Sequence, residues 1–285
     1  MKLLELTGLP GSGKSTLMPM VRRAFLRRGH RLLTAEDLVG GFDLASSPLL
    51  DLLHLLRFPE TSKRRARVRL FRDRDIGARL RDAFLENEPD LAEILRRAVR
   101  RDDFPQPDRD HLLEVVYRQF GLHQTAERLL TAEDYFLFDE GLAHRAVALF
   151  ASFDRPVEPG PVLEYVDRLP PIEMVFHLAM DEDLAYERMV RRGLPPKLRG
   201  LPLDEVQKRM PPHRWERRRQ SGLLAQLKGR DARVIHLFLE HAGEVIRVVL
   251  TRLEEKGTLV VHLPNREHPL TLEAELNRYV KALLP

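Results

Sequence analysis

Gly8-Leu9-Pro10-Gly11-Ser12-Gly13-Lys14-Ser15 decides the fold. It satisfies the pattern GxxxxGK[ST], follows the apolar Leu3, Leu4 and Leu6, and opens a helical pattern that runs from Lys14 to about Arg28. Strand, glycine loop and helix in that order let backbone N–H groups curl around phosphate oxygens, with the positive end of the helix dipole aimed at the same anion. The reading assigns Gly8, Pro10, Gly11, Ser12, Gly13, Lys14, Ser15 and Thr16 to binding ATP. Lys14 is expected to reach the β and γ phosphates, and Ser15 to place its hydroxyl on Mg²⁺ with Thr16 in support.

Outward from the loop, the pattern is one of apolar strands alternating with helices. Gly29-His30 ends the first helix, and Arg31 to Thr34 reads as a second strand. Residues from about Phe42 to Glu133 read as mostly helical, broken at Pro48, Pro59, Pro89, Pro105 and Pro107. Tyr135 to Phe138 is a third strand, Ile172 to Leu178 a fourth and Val234 to Leu239 a fifth. Thr258 to Leu263 and Leu270 to Leu284 read as an appended strand and helix. Strands apolar throughout, each leading into a helix, predict an α/β fold with a parallel sheet covered on both faces.

Candidate site residues follow from the carboxyl ends of those strands, where open α/β sheets bind ligands. Asp139 ends the third strand and is expected to contact Mg²⁺, a hard cation that prefers oxygen ligands. Glu140 and Arg145 beside it are candidates for contacting the acceptor substrate, or Glu140 for orienting a water. Glu36 and Asp37 form a second acidic pair after the second strand. If the acceptor is a hydroxyl, a carboxylate there can take its proton, and Asp37 is the better candidate; an alternative role for it is helix capping. After the fourth strand, Arg188, Arg191 and Arg192 recur at helical spacing, and Arg199 follows in a segment bounded by prolines. Such guanidinium groups suit phosphate oxygens and a closing lid. The candidate catalytic set is therefore Lys14, Asp37, Asp139, Arg188 and Arg192.

Three matches carry a resemblance: GLPGSGKST at 8–16, the strand ending in Asp139 before an Arg-bearing helix, and HLAMDEDLAYERMVRRG at 177–193. With these the chain resembles the P-loop small-molecule kinases, the group that includes thymidylate, deoxynucleoside, adenylate and shikimate kinases and the zeta-toxin-like kinases. The resemblance implies a P-loop NTPase with a five-stranded parallel sheet in the order 2-3-1-4-5, ATP and Mg²⁺ as cofactors, and a helical acceptor-binding insertion between strands 2 and 3. It divides the chain into a core at 1–43 and 134–256, the insertion at 44–133, a lid at 194–212 within the core, and a strand-helix extension at 257–285. One departure is visible. Thymidylate- and deoxynucleoside-kinase-like proteins usually carry Asp-Arg after strand three, whereas here Glu140-Gly141 follows Asp139 and the arginine arrives at 145.

Composition narrows the class further. With no Cys, disulfides and thiolate metal sites are excluded, and no apolar stretch approaches the ~18 residues of a membrane span. A cytoplasmic protein is expected. The 47 basic residues, of which 39 are Arg, face 43 acidic ones, so net charge alone does not signal nucleic acid. The densest basic run, Lys63 to Arg74, leaves a polynucleotide kinase as one alternative. A P-loop ATPase acting as motor or switch is another, although no LSGGQ-like signature is present. The expected acceptor is a small molecule or nucleotide.

Overall fold

The computed structural model describes residues 1–35, 37, 74–100, 106–192, 205, 232–265 and 269–284. Its centre is β1 (Lys2–Gly8), which pairs in parallel with β3 (Tyr135–Phe138) on one side and β4 (Met174–Ala179) on the other. Outside these lie β2 (Leu32–Thr34), paired to β3, and β5 (Leu259–Pro264), paired to β4. The all-parallel order is therefore 2-3-1-4-5, as expected.

The identity of β5 is a correction. Val234 to Leu239, read from sequence as the fifth strand, lies within a helix spanning Ala232–Glu255. That helix buries Phe238, Leu239, Ala242, Val245, Ile246, Val249, Leu250 and Leu253. Spacings of three and four sustained over this length suit one face of a helix, not a strand of six. The segment read as an appended strand is instead the fifth strand of the sheet.

Among the described residues, nine helices flank the sheet. They are α1 (Lys14–Leu26), α2 (Arg74–Asn87), α3 (Pro89–Val99), α4 (Gln106–Leu129), α5 (Leu142–Phe150), α6 (Pro159–Asp167), α7 (Glu182–Arg192), α8 (Ala232–Glu255) and α9 (Pro269–Leu283). Alternation along each strand sends neighbouring side chains to opposite faces. On one face Leu4, Leu6, Leu137, Phe176 and Leu178 pack with Leu17, Val21 and Phe25 of α1 and Leu272, Leu276 and Val280 of α9. On the other, Leu3, Phe136, Phe138 and Val175 pack with α5, α6 and α8. That second core continues without a break into α2, α3 and α4, so the described part of the helical insertion is built onto the sheet's own core.

Within that region Phe84 is fully buried, stacked on Phe120 with ring centroids 4.9 Å apart and 5.3 Å from the ring of Tyr117. Truncation to Ala removes the stack and leaves a cavity, at a cost of about 3–5 kcal/mol. We expect Phe84→Ala to lower the urea midpoint by a corresponding amount with an unchanged slope; an unchanged midpoint would show that this core adds nothing to global stability.

Candidate functional site

The loop after β1 is shaped by backbone conformations that side chains disfavour. Gly8, Gly11 and Gly13 adopt φ of 146°, 87° and 92°. Space is short as well: a Cβ on Gly11 would lie 2.8 Å from the carbonyl oxygen of Ala185 in α7. Gly13 is the N-cap of α1 in left-handed conformation, no side chain caps that helix, and its first turn carries no acid. The helix therefore points an unneutralised positive end into the loop. Lys14 is buried, and its Nζ donates to the carbonyl oxygens of Gly8 at 3.0 Å and Leu9 at 3.3 Å. The hydroxyl of Ser12 is fully buried and has no hydrogen-bond partner in the structure. Ammonium, helix end and a buried hydroxyl thus share one small turn, a set suited to an anion.

Two neighbouring elements hold this loop. Asn265, directly after β5, donates from Nδ2 to the carbonyl oxygen of Ser12. Arg188 of α7 donates to the carbonyl oxygen of Asn265 at 3.3 Å, which brings its guanidinium to the loop's flank. Arg191 pairs with Glu187 at 2.6 Å on the same helix. The backbone of Arg192 lies in α7, but its side chain, Arg199 and the expected lid fall outside the described residues, Glu205 excepted. Ser15 and Thr16 are exposed in the first turn of α1, and Pro10 is half-buried in the loop.

Asp139 stands one residue beyond β3, exposed, at the same sheet edge as the loop; its Oδ1 accepts from the N–H of Glu140 at 2.9 Å. Glu140 and Arg145 do come together, at 3.4 Å. Gln119 of α4 joins them, donating from Nε2 to the carbonyl oxygen of Glu140 and accepting from Arg145 Nε at 2.6 Å. Asp37 closes the turn after β2: one oxygen accepts from the N–H and hydroxyl of Thr34, and the other pairs with Arg22 at 3.3 Å. Its expected partner Glu36 and residues 63–73 of the basic run lie outside the described residues. Among the described residues no group of three or more His, Asp or Glu could hold a metal. Mg²⁺ does not need one, since it commonly takes one or two protein oxygens and completes its shell with phosphates and water.

Sequence reading missed Glu5. This residue is fully buried on β1, where one carboxylate oxygen accepts from the N–H of Leu142 at 2.8 Å and the other from Ala143 at 2.9 Å. A strand residue thereby caps α5, whose own N-cap, Gly141, has no side chain to do so. A Cβ on Gly141 would lie 2.2 Å from the carboxyl carbon of Glu5. Two histidines are also better placed than their isolation in sequence suggests. His144 Nδ1 meets the Thr7 hydroxyl at 3.2 Å, and His177 Nδ1 meets His262 Nδ1 at 3.0 Å across β4 and β5. Burial first, then the charge of Lys14, pushes His144 well down; burial, then His262 and Lys14, pushes His177 down to about 4. Both are neutral at pH 7, so they add no charge beside Lys14.

No protein-family model matches the chain, and a search of curated proteins finds no significant relative. Among the described residues, no helix is long and apolar enough to cross a membrane.

Glu5 also makes stability depend on pH. Burial pushes its carboxyl up to about 7 from 4.5, while the backbone N–H groups and Arg145 pull the other way; Tyr165 and His144 nearby are held neutral. A pKa raised by folding means that the folded state holds the proton more tightly. The contribution is full below about pH 4.5 and is lost as pH rises through about 7, amounting to about 3 kcal/mol. Urea melts across that window should show wild-type stability falling relative to Glu5→Gln as pH rises. Parallel curves for the two proteins would refute the assignment.

Proposed function

We propose that this chain is a kinase of the P-loop class that transfers the γ-phosphoryl group of ATP, with Mg²⁺, to a small molecule or nucleotide. The observation that carries the reading is the uncapped N-terminus of α1, facing a loop of left-handed glycines that holds the Lys14 ammonium and the buried Ser12 hydroxyl. In this reading backbone N–H groups of the Gly8–Ser15 loop, Pro10 excepted, cradle the phosphates, and Lys14 neutralises charge on the transferring group. Arg188, on the loop's flank, stabilises the leaving phosphate oxygens. Ser15 and Asp139 would supply oxygen ligands to Mg²⁺, which would draw off charge from the phosphates of the nucleotide.

Transfer breaks the bond between the γ phosphorus and its bridging oxygen, releases ADP, and forms a new P–O bond to the acceptor. A hydroxyl acceptor gives up its proton; a phosphate acceptor needs no base. The acceptor side of the site is the sheet edge carrying Asp37, Glu140 and Arg145.

The test is an ADP-release screen across nucleosides, nucleotides, sugars, antibiotics and short oligonucleotides, with phosphorylated product identified by mass. Lys14→Ala should reduce turnover by about 10²–10³-fold. Asp139→Asn should raise the Mg²⁺ concentration needed for half-maximal rate. Steady ATP hydrolysis that no acceptor accelerates would sink the kinase reading in favour of a motor or switch; product only with oligonucleotides, weakening steeply with salt, would make it a polynucleotide kinase.

A further inference from the structure

The turn that carries Asp139 is gripped from below by a residue with no place in the reaction as described so far. Glu5 bonds the N–H groups of Leu142 and Ala143 with both carboxylate oxygens, and its carboxyl group occupies the space where any other residue at 141 would put a Cβ. Three further bonds fix the same five residues. Asp139 accepts from its neighbour's N–H, Gln119 donates to the carbonyl oxygen of Glu140, and the hydroxyl of Tyr165 donates to that of Leu142 at 2.7 Å. Of these contacts only Glu5's comes from β1, the strand that leads directly into the Gly8 loop. Beside the β1–β3 ladder, which pairs Glu5 with Phe138, and the Thr7–His144 contact, it links the strand under the phosphate loop to the Asp139 turn: three residues of strand above it, two of turn before the atoms it holds.

We propose that Glu5 is a positioning residue that fixes Asp139 relative to the Gly8–Ser15 loop, and so sets how well one Mg²⁺ is shared between the two. A carboxylate held by a turn that is free to shift must be ordered by the metal itself, which weakens binding. The inference rests on the nucleotide-binding reading above. It goes further in assigning a role in metal affinity to a residue that touches neither metal nor substrate.

The experiment measures calorimetric binding of ADP with and without Mg²⁺ to wild type, Glu5→Gln, Gly141→Ala and, as a destabilised control, Phe84→Ala. Glu5→Gln replaces one acceptor oxygen by an amide that faces an N–H donor; Gly141→Ala disturbs the same grip from the turn side. Both should raise the Mg²⁺ concentration for half-maximal tightening at least tenfold, leave metal-free ADP binding within about twofold, and speed amide hydrogen exchange at 142 and 143 in the metal-free protein. Phe84→Ala should change none of these. If wild type binds no nucleotide, the kinase reading falls and takes this one with it. If wild type binds ADP with Mg²⁺ and both folded variants keep its metal dependence, or Phe84→Ala shifts it equally, the role of Glu5 alone is overturned.

Discussion

The arrangement depends on β1 lying between β3 and β4. From the centre of a parallel sheet, one connection must leave toward β2 and a later one must return on the far side to β4, so the loops above β1 diverge and leave a crevice at its carboxyl end. The glycine loop sits at that divergence. Everything that meets there, Asp139 from β3, the start of α7 from β4 and Asn265 from β5, arrives because parallel neighbours end at the same edge. A different strand at the centre would put the same residues on separate sides of the molecule.

How much of this was legible in the sequence follows from how local each signal is. The Gly8–Ser15 loop, β1 and β3 are written within a few residues: an apolar run, then glycines at positions that need left-handed backbone. The fifth strand is not. Val234 to Leu239 has the composition of a buried strand, and only the continuation of its apolar spacing to Leu253 shows the helix. The true β5 alternates between exposed and buried residues, as an edge strand with one open face does, and so reads as an appendage.

Within the site the same division holds. Lys14 and Asp139 are candidates legible from a motif and from a strand ending. Glu5 is acidic in an apolar strand, a local oddity that marks it, yet its partners lie 137 and 138 positions away. Asn265 gives no signal, because its role comes from the strand pairing that places it under Ser12. Arg191 has a signal that is wholly local: its helical spacing makes it a candidate phosphate contact, and the carboxylate it pairs with, Glu187, stands four residues earlier on the same helix.

The position of β5 has a consequence for how the molecule is made. It is the last strand in chain order, and it covers the edge of β4. Until residues 259–264 have been synthesised, β4 presents a row of unpaired N–H and C=O groups beside an apolar face that α9 has yet to cover. The nascent chain thus carries an open sheet edge from the completion of β4 at Ala179 until Pro264 has followed, and its exposure to misassembly is set by the speed with which that intervening stretch is made.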